Sequence, residues 1–343
     1  MSASTQDHRP GATGSDPVDW ELAVATAARL VRPGPVVPRA EADIAVGRLR
    51  EQAIDAEVHV RRLTGLGHGL PLKAGEVVDR PGWIRAAVQG LAVLTDGALP
   101  KQSGALSGVL AGTAGVQAGV VIAFLSARVL GQYDPFSEGG RLLLVAPNIV
   151  GAQRALDVSG ADFSMWVCLH EGTHRLQFTA VPWLGGHFSG LVGSLLGSMD
   201  EGVAPRLRDL PKRLREADGF VDLLQSPAQR EVLDRLIALS TLLEGHADHV
   251  MDAVGPDVVP SVGVIRERFT ARRKGGGVLD RILRTLLGVE AKVRQYAEGA
   301  AFTRHVVDQA GMSGFNTVWT GPETLPTRAE IADPAAWLRR VQP

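Results

Sequence analysis

Two histidines four residues apart with a glutamate between them, His170-Glu171-Gly-Thr-His174, are the residues of this chain whose types and spacing could do chemistry. On a helix, positions four apart lie on one face a single turn from each other, so both imidazoles can direct a nitrogen at one metal ion. Two neutral nitrogen ligands suit Zn²⁺, and Glu171, one residue round, can take a proton from a water that the ion has acidified. The flanks, Met165 to Val167 and Leu169 before and Leu176 and Phe178 after, are apolar. They predict a buried helix, in which His and Glu need partners. A surface helix with two solvated histidines is the plain alternative.

A partner lies some seventy residues downstream. The segment Leu239 to Met251 reads as a second apolar helix whose acidic residues are Glu244 and Asp248, one turn apart. Glu244 as third ligand would leave a fourth position open to water, the arrangement of a catalytic zinc. Asp248 would then accept the second ring N–H of His170 or His174 and fix its tautomer. An ordinary polar pair on a helix edge is the alternative for both carboxylates.

His170-Glu171-x-x-His174 followed by Glu244-x-x-x-Asp248 resembles the gluzincin pattern of zinc metallopeptidases. More closely, the stretches Val129 to Phe136, His170 to Phe178, Glu244 to Asp252 and Gly314 to Arg328 are similar to an actinobacterial family of zincin-like proteins. Its members are labelled zinc-dependent metalloproteases or proteins associated with the biosynthesis of a deazaflavin coenzyme. The resemblance covers nearly the whole chain from Trp20 onward and implies a metallopeptidase-like site. In zincins an edge strand beside the metal binds an extended peptide by main-chain hydrogen bonds. The apolar run Gly140 to Asn148, which ends in Pro147-Asn148 and reads as a strand, is therefore the candidate substrate-binding strand, with a plain core strand as the alternative.

The remaining elements must position these residues. The chain of 343 residues is 45% hydrophobic, enough for a sizeable core, and its net charge of −1 gives no electrostatic footprint for nucleic acid. The single cysteine, Cys168, excludes an internal disulfide framework and reads as a packing residue. Residues 1–17 read as a disordered tail with no apolar signal core, so a cytoplasmic location is expected. Residues 18–99 read as an N-terminal helical region: helices at Trp20 to Val31 and Arg39 to Leu63, and one opening at Arg80-Pro81. Residues 100–343 read as the catalytic unit. Within it, Gln102 to Ala127 carries no charge and is long enough to span a bilayer, but its small residues at helical spacing favour a buried central helix, so membrane association is not expected. Residues 204–228 read as a connection, and Ala271 to Gly277 as a surface turn rather than a lid. The expected fold is mainly α (α+β): a zincin-like metallopeptidase unit with a small β-sheet and additional N-terminal helices.

Amide hydrolysis passes through a tetrahedral oxyanion. Tyr296, His249 and His305 are, in that order, the candidates to stabilise it, with packed side chains as the alternative; His246 falls on the far face of its helix and reads as structural. The expected activity is zinc-dependent hydrolysis of a peptide or protein substrate, with His170, His174 and Glu244 on the metal and Glu171 as base and then proton donor. A non-catalytic zincin scaffold that binds a partner in cofactor metabolism is the alternative. The intact Glu171 argues against it, because binding does not need a general base.

Overall fold

The computed structural model describes residues 16–99, 106–198, 226–273 and 289–341, the side chains of 198, 272–273 and 289–297 excepted. The expected tail, the connection at 204–228 and the turn at 271–277 lie wholly or mainly outside these residues. Helix α1 (Trp20–Leu30) opens at Asp19, whose carboxylate accepts the N–H of Leu22 at 2.8 Å. Helix α2 (Arg39–Thr64) stops at Gly65, left-handed at φ 71°. Strand β1 (Glu76–Val78) leads into α3 (Arg80–Thr95), capped by Asp79 with Pro81 in its first turn. Helix α4 (Ser107–Ser126) precedes the hairpin of β2 (Gly131–Asp134) and β3 (Arg141–Val145). Helices α5 (Ala146–Leu156), α6 (Gly160–Ala180), α7 (Leu184–Ser198), α8 (Pro227–Ala253), α9 (Val262–Arg273) and α10 (Val289–Phe315) follow. Two 3₁₀ turns, Asn316–Trp319 and Pro322–Thr324, lead to the short helices α11 (Arg328–Ala332) and α12 (Pro334–Val341).

This is the mainly helical fold with a small sheet that the sequence predicts, and the sheet corrects one expectation. Its order is β1-β3-β2, with β1 parallel and β2 antiparallel to β3. The run expected to be an edge strand is thus the central one, and both of its edges are already paired. Leu142 and Leu144 face the main core while Leu143 and Val145 face a second core built from α1, α3 and α4. A strand buried on both faces has to be a continuous apolar run. Pro147 and Asn148 do not continue it: Pro147 sits in the first turn of α5. The edge beside the zinc-motif helix belongs to β2.

Helix α4 is not the central helix its composition predicts. Only 28% of its apolar window is buried. Ala111, Gly115 and Gly119 turn inward against α1, so closely that a Cβ on Gly119 would stand 2.7 Å from the Ala23 carbonyl oxygen. Leu106, Val109, Leu110 and Val120 lie exposed on the opposite face.

The central helix is α6. Ser159 caps it by accepting the N–H of Asp162, and its sides are buried nearly all round against α2, α8 and the sheet, which is why it shows no single apolar stripe. The one arginine of its middle turns, Arg175, reaches Glu57 of α2 at 2.7 Å, and Glu57 also pairs with Arg61. Removing one partner of so buried a pair costs about 3–5 kcal/mol, because the other charge stays behind unpaired.

Helix α8 is fixed by its crossing with α10. Gly245 faces Gly299, and a Cβ on either would overlap the other helix's backbone, at Gly299 and at Thr241 respectively. Gly245 neighbours Glu244, so this close approach sets where that carboxylate stands. Gly245→Ala is expected to lower unfolding stability in urea by about 1–3 kcal/mol, the usual cost of overpacking. An unchanged stability would mean that the helices do not meet this closely.

Candidate metal centre

The structure brings His170, His174 and Glu244 together. The two Nε2 atoms are 3.2 Å apart, and Glu244 Oε2 lies 3.5 Å from that of His170 and 3.8 Å from that of His174. A tetrahedral ion with bonds of about 2.0–2.2 Å sets its ligands about 3.3–3.6 Å apart; the three separations bracket that range, so the group could hold a metal ion. Nitrogen, nitrogen and carboxylate oxygen are also the preferred donors of zinc. All three side chains keep part of their surface exposed, which leaves a side for water or substrate.

Glu171 stands beside this triangle and is 6% exposed. Burial, with the charge of Glu244 adding to it, pushes its carboxyl well above the usual carboxylate range. Strand β2 passes directly over it: a Cβ on Gly131 would lie 2.5 Å from Glu171 Cγ. Glycine at that position is what lets the edge strand approach Glu171. Cys168, two residues before His170, is buried, and burial pushes its thiol pKa up, so it is an inert packing residue, as its sequence context predicts.

Asp248 does not take the role expected of it. Its carboxylate accepts from Arg266 of α9 at 3.0 Å, and the same guanidinium reaches Asp252 at 2.7 Å. A turn further along α8 than Glu244, Asp248 faces a cation instead of an imidazole. The second nitrogen of His174 meets Gln177, whose Oε1 is 2.8 Å from Nδ1. His170 Nδ1 lies 3.3 Å from Met251 Sδ. Sequence reasoning passed over Gln177, although its place three residues after His174 put it on the same helix face.

Two of the three oxyanion candidates, His249 and His305, have described side chains. His249 is bounded by charges at Asp252 and, from α10, Arg304 and Asp308. His305 is exposed on α10, and the side chain of Tyr296 is outside the described residues. His246 is a core residue. It is fully buried and stacks on Phe315 at 5.0 Å between ring centroids, with Trp319 at 5.6 Å.

Burial, aided by the nearby charges of His249 and His174, holds the His246 pKa down from 6.5 to about 3. Between those values the unfolded chain carries a proton here that the folded one refuses. Stability therefore falls as pH falls through that window, by up to about 1.4 kcal/mol per unit from this residue. In denaturant titrations at pH 4 to 7, His246→Phe is expected to reduce the pH slope by about one proton. An unchanged slope would mean that the folded protein protonates His246 as readily as the unfolded chain.

No curated protein matches the chain. A crystal structure of a protein from Chloroflexus aurantiacus, described as a candidate hydrolase with a novel fold, is similar at 31% sequence identity and a TM-score of 0.69, covering 94% of this chain and 98% of the other. The family model for zincin-like metallopeptidases matches residues 18–338, and the chain belongs to that family.

Proposed function

We propose that the protein is a zinc-dependent hydrolase of peptide bonds. The observation that carries this reading is the triangle of His170, His174 and Glu244, which could hold a metal ion, with Glu171 beside it under an edge strand. Zinc bound there would supply a Lewis acid that polarises a carbonyl and acidifies a water.

The chain's own residues do the rest. Glu171 takes the water's proton and returns it to the leaving amine. The outer edge of β2 offers main-chain groups to an extended peptide, and the close pass at Gly131 places that edge next to the base. A small amide without a peptide backbone would gain nothing from the strand, which is why a peptide or protein is the favoured substrate. A non-catalytic scaffold has no use for a buried carboxylate held against the metal ligands, and burying it costs stability.

Cleavage of a peptide library by the zinc-loaded protein, read by mass spectrometry, tests the assignment. Glu171→Gln is expected to lose activity by about 10²–10⁴-fold while retaining its metal. Full activity in that variant would remove Glu171 as the base.

A further inference from the structure

Gln177 is fully buried and meets three groups at once. Its Oε1 lies 2.8 Å from His174 Nδ1, and its Nε2 lies 3.0 Å from the carbonyl oxygen of Leu243 and 3.0 Å from His246 Nδ1. A carbonyl can only accept, so the end of the amide that faces Leu243 is its NH₂. The second hydrogen of that NH₂ points at His246 Nδ1, which must therefore accept and carry its proton on Nε2. Oε1 is thereby turned toward His174, whose Nδ1 must donate. His174 Nε2 is then left with a free lone pair, 3.2 Å from His170 Nε2 and 3.8 Å from Glu244 Oε2.

We propose that Gln177 and His246 are positioning residues: a hydrogen-bond relay that starts at the backbone of α8 and fixes His174 in the tautomer able to bind metal through Nε2. This rests on the metal-site reading above, and it assigns to Gln177 the role that Asp248, engaged with Arg266, does not fill. The relay is anchored by hydrogen bonding at its backbone end; at the other end His246 Nε2, buried without a hydrogen-bond partner among the described residues, is held by ring packing alone. Leu243 and His246 lie on α8 on either side of Glu244, so one helix supplies the third ligand and orients the second. The His246 ring is held between the imidazole-facing amide of Gln177 and the rings of Phe315 and Trp319, so it cannot turn away without unpacking the core.

The relay makes opposite demands at its two histidines, and these are observable without metal. In ¹⁵N-labelled metal-free protein at pH 8.5, side-chain ¹⁵N–¹H spectra are expected to show His174 protonated on Nδ1 and His246 on Nε2. Zinc affinity by chelator competition supplies a second readout. Gln177→Met, which keeps the volume and loses the acceptor, is expected to bind zinc about 10–100-fold more weakly, whereas Asp248→Asn binds as the wild type does. Gln177→Glu keeps an acceptor for His174 and loses both donors, so its melting temperature falls while zinc affinity is retained. A merely structural role would move the two together. His174 found protonated on Nε2, His246 found protonated on Nδ1, or Asp248→Asn weakened as much as Gln177→Met would overturn the proposal. Failure of the wild type to bind zinc would sink the functional reading, and the tautomers in the metal-free protein would still decide the relay.

Discussion

Charge held inside a buried helix is the constraint on which the rest of this structure depends. Helix α6 is enclosed nearly all round and yet carries two imidazoles, a carboxylate and a guanidinium through its middle turns. None of these can stay in an apolar interior alone, so two of the surrounding helices bring partners. Helix α2 supplies Glu57 to Arg175, and α8 supplies Glu244 to the histidines. Strand β2 contributes no partner. It offers the absence of a side chain at Gly131, which lets a peptide edge lie against Glu171. Helices α1, α3 and α4 then cover the far face of the sheet through Leu143 and Val145.

The two ends of α8 are held by different means. Ser226 and Gln229 form a capping box at its start, and the Gly245–Gly299 contact pins its second half against α10. The acidic residues that follow are divided between two tasks. Glu244 turns into the metal triangle, while Asp248 and Asp252 hold α9 through Arg266, whose guanidinium also lies 5.7 Å from the centre of the Trp166 ring. That arrangement ties the first turns of α6 to the same helix that carries Glu244.

Much of this was legible in the sequence, and the parts that were not share a physical cause. His170, Glu171 and His174 could be placed because helix periodicity decides which residues share a face, and Glu244 because it and Asp248 are the acidic residues of the second apolar helix. Asp248 obeys the same periodicity, but its partner comes from α9, and spacing within one helix says nothing about what packs beside it. Gln177 was passed over because an amide carries no charge to signal a site. The run Gly140 to Asn148 reads as an edge strand only through the family resemblance, although an unbroken apolar run is what a strand buried on both faces requires. The true edge, Gly-Gln-Tyr-Asp at 131–134, lacks the alternation by which strands are recognised. In α4 the inward face is made of alanine and glycine, so its larger apolar residues, which normally mark the core, are the ones that point outward.

The central claim is that α6 and α8 together hold one zinc ion, and metal content tests it most directly. Protein purified without chelator would be analysed for metals by mass spectrometry, wild type beside Glu244→Ala. The account predicts about one zinc per wild-type chain and its loss from a variant that remains folded by circular dichroism. Wild-type protein free of zinc even after incubation with it, or a variant that keeps the full complement, would contradict the three-ligand site.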